Sequence, residues 1–396
     1  MRILHLFQIS FAVLAACGSG YYLLCIWSAH AYQRLQRRPP GFLGSQQPST
    51  PPVSILKPLR GSDPHIYECF RSHCLQDYPE YEIIFGVDDP QDPVISDVER
   101  LQREFPHIAM QLVVCSQRLG PNTKVSNLIQ MERVARHPHM LVNDSDIHVP
   151  KDYLRRVMEQ FCQPKVGLVT SLYRGIAGQT LGSRLEALGI STEFMGGVLV
   201  ARQIEGGLHF ALGSTLAVSR QALADIGGFD GMLEYLADDF ELGYRVARAG
   251  YEVALADLVV ETYLPDYTFG TFLEHQLRWG RSTRDSRRWG YVGLIFTFGF
   301  TWSILAVILS RGAAWAWALL GTALFLRLAS ALVVGPGVVH DSQVVRDLWL
   351  VPLRELISLA VWTASFFGHT VTWRGKKFMV RNKRLVPLDS PSDSGI

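Results

Sequence analysis

An uncharged apolar run near the N-terminus constrains the fold of this chain more than any other feature of its sequence. Residues 3–27, ILHLFQISFAVLAACGSGYYLLCIW, contain no Asp, Glu, Lys or Arg, and the run is long enough to cross a lipid bilayer. Aromatic residues lie near its end, as they do at membrane interfaces: Tyr21, Tyr22 and Trp27. The sequence AHA at positions 29–31 resembles a signal-peptide cleavage site, but the apolar run is longer than a usual signal-peptide core. We therefore predict a transmembrane helix within residues 1–30.

The charges of the chain predict its orientation in the membrane and argue against nucleic acid as a partner. Arg34, Arg37 and Arg38 follow the apolar run, so the positive-inside rule places the succeeding residues in the cytosol. A formal net charge of +2 over 396 residues gives no basic field of the kind that binds nucleic acid. The six cysteines include no CxxC pair, which favours reduced thiols over a disulfide framework or a zinc site.

Three further apolar segments follow the middle of the chain, at residues 291–310, 313–334 and 348–369. The first two are long and uniformly apolar, and they predict a transmembrane hairpin rather than buried helices of a soluble core. The third is interrupted by Pro352, Arg354 and Glu355. The clean apolar stretch that remains is short for a span, which favours a re-entrant or interfacial segment.

The region between these apolar segments alternates between strand and helix patterns. A Pro-, Gly- and Ser-rich stretch predicts a linker within residues 31–52, and residues 53–290 are predicted to form a cytosolic domain. Strand patterns occur at 53–59, 81–89, 108–114, 140–142 and 166–173. Because helical patterns separate them, we predict an α/β fold with a mostly parallel twisted sheet, plus flanking transmembrane helices. Membrane segments at 291–372 and a basic tail with a disordered end at 373–396 complete the chain.

Acidic residues follow three of the predicted strands. Asp63 follows the first strand, Asp88, Asp89 and Asp92 follow the second, and Asp144 and Asp146 follow the fourth. Ligands of such sheets bind beyond the carboxyl ends of the strands, so we expect these carboxylates to share one edge. They suit a divalent cation, which in turn suits a diphosphate, although solvated turns are the alternative. Lys124 and Asn127 open a helix at the same edge, where they could hold a phosphate or a sugar.

Three later segments carry further signals. LADDFELGYRVARAGY, at 236–251, predicts a helix that begins with Asp238 and Asp239, although acids at a helix N-terminus also stabilise the helix dipole without any other role. We expect the Asp238 side chain to point away from that of Asp239. FLEHQLRWGRSTRDSRRW, at 272–289, carries five arginines before a membrane segment, where basic belts are attracted to anionic lipid. The apolar stretch at 182–203 predicts either an interfacial helix or an ordinary amphipathic core helix.

The ordered set of motifs resembles a known enzyme family. GVDDPQDP, DSD, ADDF and an RW pair just before membrane helices are similar, in that order, to family-2-related glycosyltransferases with a GT-A fold. VSILKPLRGSDPHIYECFRS and VSNLIQM extend the similarity to the ceramide glucosyltransferase family, glycosyltransferase family 21, with its bacterial hopanoid-biosynthesis-associated members. The resemblance covers residues 53–285 and the flanking membrane segments. It implies a GT-A, or nucleotide-diphospho-sugar transferase, domain.

The resemblance implies roles for the acids at the edge of the sheet. Asp92, with Asp89 beside it, corresponds to the first family aspartate, which helps to hold the nucleotide. Asp144 corresponds to the second, and Asp146 completes a D-x-D motif that binds a Mg²⁺ or Mn²⁺ ion. That ion would contact the diphosphate of a UDP-sugar and stabilise the departing UDP.

The resemblance also implies the catalytic residues. Asp239 matches the aspartate assigned as the base, which would take the proton from an acceptor hydroxyl. Arg278 and Trp279 match the end of the (Q/R)-x-x-R-W motif, and Arg278 would add positive charge at the leaving group. His275 occupies the motif position that is Gln or Arg in the family, and this departure leaves the role of the position open.

The expected reaction is an inverting transfer of one hexose from a UDP-sugar to a hydroxyl of a membrane lipid. UDP-glucose and ceramide are the first expectation, and UDP-N-acetylglucosamine with a hopanoid polyol is the second. A processive polysaccharide synthase is less consistent with His275 and with the few membrane segments, and an inactive scaffold is less consistent with the retained acids. The bacterial relatives place such a multi-pass protein in the inner membrane, with its catalytic domain in the cytosol.

Overall fold

The computed structural model describes residues 2–36, 50–61, 63, 65–373, 376–381 and 383–388. The chain divides into two compact units. The sheet unit comprises Pro39–Ile176, Glu205–Pro265 and His369–Ile396. The helical unit comprises Met1–Arg38, Ala177–Ile204 and Asp266–Gly368. Most of the predicted linker, residues 37–49, and the predicted disordered end, residues 389–396, lie outside the described residues.

The strands lie close to where the sequence pattern predicts them. In chain order they are β1 (Val53–Leu59), β2 (Tyr81–Val87), β3 (Ala109–Val114), β4 (His139–Val142), β5 (Ile147–His148), β6 (Val166–Ile176), β7 (Leu216–Ser219), β8 (Glu252–Tyr263), β9 (Thr370–Trp373), β10 (Lys376–Arg381) and β11 (Arg384–Pro387). The predictions of β1–β4 and β6 are confirmed, whereas the sequence analysis did not identify the other strands.

The helices of the described chain fall into two groups by unit. Those of the sheet unit are α2 (Ile66–Cys74), α3 (Ile95–Glu104), α4 (Thr123–Glu132), α5 (Tyr153–Met158), α8 (Arg220–Asp225) and α9 (Asp238–Arg248). Those of the helical unit are α1 (Arg2–Gln36), α6 (Leu181–Gly189), α7 (Met195–Glu205), α10 (Phe269–Ser286), α11 (Arg288–Gly293), α12 (Gly299–Leu309), α13 (Ala314–Val338), α14 (Gln343–Arg346) and α15 (Val351–Ser365), with α7 ending at the boundary. A π-helical turn, Ile190–Phe194, joins α6 to α7.

The first half of the sheet positions the acidic strand ends. The strand order is β3-β2-β1-β4-β7-β6-β8-β5, and β1 pairs in parallel with both β2 and β4. Every residue of β1 is buried, as expected for a parallel strand that is covered on both faces. Because these three strands run in one direction, their carboxyl ends meet at one edge of the sheet. The segments that contain Asp63, Asp92 and Asp144 therefore start from the same edge, as predicted.

The second half of the sheet is mixed. β7 runs antiparallel to β4 and to β6, whereas β6 pairs in parallel with β8. The prediction of a mostly parallel sheet therefore describes β1–β4 and the β6–β8 pair, but not β5 or β7. Apolar periodicity identifies a buried strand without giving its direction, which explains why the sequence did not distinguish the two halves.

Apolar helices pack closely in the helical unit. A Cβ atom at Gly18 of α1 would lie 2.3 Å from the Cα of Gly299 at the start of α12, so only glycine permits this crossing. Among the described residues, three helices are long and apolar enough to cross a membrane: Ile3–Gln36, Ala314–Val338 and Leu348–Ser365. A further pair, Arg288–Thr297 and Gly299–Leu309, meets the same test together but is bent by 52°. The first arm of the predicted hairpin is therefore bent, and the third apolar segment is a continuous helix.

The C-terminal tail contains structure that the sequence analysis missed. Residues 373–396 were expected to be a basic tail, but β9, β10 and β11 form an antiparallel three-stranded sheet within the sheet unit. Val371, Phe378 and Leu385 are buried in it. The three strands are only four to six residues long, and basic residues flank the apolar ones in β10 and β11, so apolar periodicity did not identify them.

Candidate active site

Two carboxylates project from the turn that follows β4. Asn143 begins this turn, and its side-chain amide donates a hydrogen bond to the Ser214 carbonyl at 2.6 Å. The Asp146 carboxylate accepts a hydrogen bond from the Thr262 hydroxyl at 2.5 Å. Burial and the neighbouring charge of Asp144 raise the pKa of Asp146 to about 6. The turn therefore holds two mutually repelling carboxylates close together.

A partly buried lysine joins this turn to the helix that carries the ADDF motif. Lys124, at the start of α4, places its ammonium 2.7 Å from Oδ1 of Asp144 and 3.4 Å from Oδ2 of Asp238. Burial alone would lower the pKa of Lys124, but the charges of Asp144 and Asp238 outweigh burial and raise that pKa above its usual value. Lys124 is therefore a fixed positive charge at the edge of the sheet. Asn127 is buried one turn later on the same helix.

Asp239 lies beside this cluster, in the first turn of α9. Its Oδ1 atom accepts a hydrogen bond from the Phe240 amide at 2.7 Å. A Cβ atom at Gly213 would lie 3.1 Å from Oδ2 of Asp239 and 3.5 Å from Oδ2 of Asp144, so both carboxylates face the backbone of that glycine. Burial, together with the charge of Asp238, raises the pKa of Asp239 to about 6. A raised pKa of this kind favours a carboxylate that exchanges protons with a substrate hydroxyl.

Asp238 was expected to point away from Asp239, and the structure shows that its carboxylate also contacts this cluster. Its carboxylate lies 3.4 Å from the Lys124 ammonium, and its other oxygen lies 3.5 Å from the side-chain amide of Asn122. Consecutive helix positions diverge by about 100°. Even so, the charges of both Asp238 and Asp239 act on Lys124 and raise its pKa.

Sequence analysis also missed Lys57, which lies within β1 and is fully buried. Its ammonium donates a hydrogen bond to the backbone carbonyl of Asp144 at 3.1 Å. Burial lowers the pKa of Lys57 to about 8, and the nearby carboxylates oppose that shift. The available signal was a lysine inside the apolar pattern VSILKPL, because lysine is almost never fully buried without a partner.

The acids that follow β2 have backbone partners. The Asp92 carboxylate accepts hydrogen bonds from the Gly61 amide, at 2.9 Å and 3.1 Å, and from the Val94 amide at 3.0 Å. It therefore ties the segment after β1 to the segment after β2. Asp89 is exposed, and its carboxylate accepts a hydrogen bond from the Gln91 amide at 2.8 Å. A contact of either acid with a nucleotide stays a prediction.

The remaining predicted site residues lie in the helical unit. His275, Arg278 and Trp279 belong to α10. Nδ1 of His275 lies 3.1 Å from Oε1 of the buried Glu186, and the His275 ring lies 5.2 Å from the Trp279 ring. The Phe194 ring, at the end of the π-helical turn, lies 5.7 Å from the Trp279 ring. The predicted site residues are thus divided between the units, with the acids in one and the R-W motif in the other.

The paired acids after β4 fit one mode of divalent-cation binding. Within the part of the chain that the structure describes, no group of three or more His, Cys, Asp and Glu side chains is arranged to hold a metal by itself. Mg²⁺ in nucleotide enzymes is usually held by one or two carboxylates together with substrate phosphates. Asp144 and Asp146 supply such a pair, and a cation there would relieve the repulsion that raises the pKa of Asp146.

Comparisons with known proteins agree with this fold and this set of residues. Ceramide glucosyltransferase 3 of Caenorhabditis elegans is 26% identical over 234 residues, which cover 58% of this chain and 50% of that protein. The chain thus matches about half the length of this relative. Ceramide glucosyltransferase of Pyricularia oryzae is 22% identical over 478 residues, which cover 96% of this chain and 95% of that protein.

A solved structure and a family model complete the comparison. A mannosyltransferase from Pyrobaculum calidifontis, solved in complex with GDP-Man and Mn²⁺, is 18% identical with a TM-score of 0.55, and the match covers 92% of this chain and 99% of that one. That likeness concerns the fold, which is of the GT-A glycosyltransferase type. The model of Glycosyl transferase family 21 matches residues 10–386. The chain therefore belongs to glycosyltransferase family 21.

Proposed function

We propose that this chain is a membrane-bound inverting hexosyltransferase that moves one hexose from a UDP-sugar to a lipid hydroxyl. UDP-glucose and ceramide are the substrates of choice, because the curated relatives are ceramide glucosyltransferases. The observation that carries the proposal is the approach of Asp144 and Asp239 to Gly213, with Lys124 beside both acids. This cluster lies at the carboxyl end of parallel strands, where nucleotides bind in such sheets.

The donor would bind around Asp144. Asp144 and Asp146 would hold a divalent cation, whose charge neutralises the diphosphate and stabilises UDP as it departs. Lys124 binds the Asp144 carboxylate, and Lys57 donates a hydrogen bond to the Asp144 backbone carbonyl. These two lysines would keep the acid correctly oriented before the donor arrives.

The acceptor would react beside Asp239. Asp239 would take the proton of the acceptor hydroxyl while its oxygen forms a bond to the anomeric carbon and the bond from that carbon to UDP breaks. Attack opposite the leaving group inverts the anomeric centre and yields a β-glycoside from an α-linked donor. Because Gly213 has no side chain, the space between Asp144 and Asp239 would stay open for the sugar.

The direct test supplies one isotopically labelled UDP-sugar at a time to the purified protein in lipid vesicles that contain ceramide or a hopanoid polyol. We expect glucosylceramide with a β linkage, identified by mass spectrometry and by the coupling constant of its anomeric proton. An N-acetylglucosaminyl hopanoid would keep the reaction class and change the substrates. A polymeric product, or no product from any pair, would overturn the proposal.

The pH dependence of turnover should report the ionisation of Asp239. Its pKa is raised to about 6 by burial and by the charge of Asp238, and only the ionised form can accept a proton. We therefore expect kcat/KM to fall as the pH is lowered through about 6. Asp238→Asn removes the nearby negative charge, so the pKa of Asp239 should drop and the acid limb of the profile should move to lower pH. An acid limb that does not move in this variant would contradict the assignment.

We infer that the chain crosses the membrane twice between α10 and α15, once through the bent helix pair and once through α13. Contacts inside the helical unit support this topology. Gln8, near the start of α1, donates a hydrogen bond to the Leu309 carbonyl at 2.8 Å, and Gln33, near its end, donates one to the Gly337 carbonyl at 2.6 Å. The bent helix pair therefore ends on the membrane side where α1 begins. α13 returns to the side where α1 ends.

α15 would lie at the membrane interface instead of crossing. Its Arg354 donates to the Gln276 side chain of α10 at 2.7 Å, and beyond its end Arg284 of α10 donates to the Gly368 carbonyl at 3.3 Å. α10 contains three arginines, Arg278, Arg281 and Arg284, and such a helix is excluded from hydrocarbon. Because α15 runs along α10, it would lie at the same depth in the membrane interface as α10.

Cysteine labelling can test this topology. With Cys17 replaced by Ser, we expect Ala314→Cys, at the start of α13, to react with an impermeant thiol reagent added outside intact cells. Val345→Cys, in α14, and Val386→Cys, in β11, should react only after the membrane is permeabilised. Both positions are exposed, so access is not limited by folding. External labelling at Val386→Cys would show that α15 crosses the membrane.

A further inference from the structure

The C-terminal sheet packs against the segment that leads into Asp238 and Asp239. Leu236 forms a buried cluster with one residue from each C-terminal strand: Val371, Phe378 and Leu385. The exposed fractions of these four side chains are between 2% and 9%. Only Ala237 separates Leu236 from the first residue of α9. We call residues 233–237 the base loop.

Backbone contacts add to this apolar cluster. The Leu385 amide donates a hydrogen bond to the Glu234 carbonyl at 2.6 Å, and Tyr235 forms an antiparallel bridge with Arg384. The Arg384 guanidinium lies 2.9 Å from the Glu234 carboxylate. β11 therefore pairs with the base loop as an added strand would, although the loop itself has no regular secondary structure.

The opposite side of the base loop is held by α4. The Asn122 amide donates to the Leu233 carbonyl at 3.0 Å, and the Asn122 side chain donates to the Tyr235 carbonyl at 2.7 Å. The same side chain accepts a hydrogen bond from the Val125 amide at 3.1 Å and so caps α4. α4 carries Lys124, which binds Asp144 and Asp238. The base loop is thus fixed between β11 and the helix that organises the acids.

We propose that the C-terminal sheet, β9–β11, is a strap that positions Asp239, with Leu236 and Leu385 as the positioning residues. The proposal rests on the assignment of Asp239 as the base. Loops without regular structure open more readily than strands and helices, and a displacement of about 1 Å at a reacting group can cost about 10²-fold in rate. Pairing with β11 gives the base loop a hydrogen bond and apolar burial that it would not have without the C-terminal sheet.

The test compares neighbouring residues of one strand in the full-length protein. Leu385→Ala removes a buried contact with Leu236, whereas Val386→Ala is the matched control, because Val386 is 45% exposed on the other face of β11. We expect Leu385→Ala to lower kcat by about 10- to 100-fold with little change in the dissociation constant of UDP. Hydrogen exchange at residues 233–239 should become faster in Leu385→Ala and stay unchanged in Val386→Ala.

Two further observations distinguish a loss of the strap from a general loss of stability, and the strap proposal from the proposed reaction. Arg384→Ala removes only an exposed ion pair with Glu234, so it should fold normally and still speed exchange in the base loop. Equal losses of UDP binding and kcat in Leu385→Ala, or normal exchange in the base loop, would overturn the strap. Exchange does not depend on the substrates, so faster exchange in a protein that transfers no hexose would reject the proposed function alone.

Discussion

Replacing Asp239 by Asn should lower turnover by about 10²–10⁴-fold, the range expected when a general base is lost. The Asn side chain keeps the size of Asp and its oxygen can still accept the hydrogen bond from the Phe240 amide, but the amide cannot take a proton. Lys124 keeps its direct ion pairs with Asp144 and Asp238 in this variant, and the first of these pairs faces the proposed donor site. UDP affinity should therefore stay close to that of the unchanged protein.

Asp238→Asn is the matched comparison, and the structure changes what to expect of it. Asp238 contacts Lys124 and Asn122, so the substitution should affect activity, although an Asn oxygen can still accept from the Lys124 ammonium. We expect a loss at least tenfold smaller than that of Asp239→Asn. Steady-state kinetics and isothermal titration with UDP would measure both effects. Near-normal turnover in Asp239→Asn, with the larger loss in Asp238→Asn, would show that Asp238 and not Asp239 is the base.

The sequence predicts the sheet edge well because two simple rules act there together. Apolar runs that alternate with helical patterns predict parallel strands, and parallel strands place the residues after them at one edge. Asp144 and Asp146 are identified by this reasoning before any side-chain contact is known. The contact between Asp238 and Lys124 could not be predicted in this way, because it depends on how closely α4 approaches the first turn of α9.

The residues that the sequence analysis missed share a physical cause. Lys57 contacts a backbone carbonyl that follows a different strand, and the base loop pairs with β11, some 150 residues later in the chain. Local periodicity contains no information about such distant partners. The helical unit shows the same limit, because Ala177–Ile204 joins it from the middle of the sheet unit's sequence. Two of the membrane-spanning candidates, Ile3–Gln36 and Ala314–Val338, were nevertheless predictable, because their signal is length and apolar composition alone.

Replacing Asp146 by Asn should weaken UDP binding only when a divalent cation is present. Asp144 and Asp146 form the pair of carboxylates that fits a cation bridged to a diphosphate. Even the loss of a group that supports a metal ligand usually costs about 10- to 100-fold in metal affinity, so the loss of a ligand should cost at least about tenfold. Without the cation, UDP binding should be unchanged or tighter in the variant, because one negative charge that repels the diphosphate is gone.

Titrations of UDP in the presence of Mn²⁺ and in the presence of EDTA would separate these effects. Asp77→Asn is a suitable control, because it removes an exposed carboxylate that pairs with Arg155 away from the edge. Thr262→Val should give an intermediate loss, since the Thr262 hydroxyl orients the Asp146 carboxylate. Burial and the charge of Asp144 already disfavour the ionised Asp146, so Asp146→Asn should not lower the melting temperature at pH 7. If the cation strengthens UDP binding as much in Asp146→Asn as in the unchanged protein, Asp146 is a residue of the turn and not a ligand.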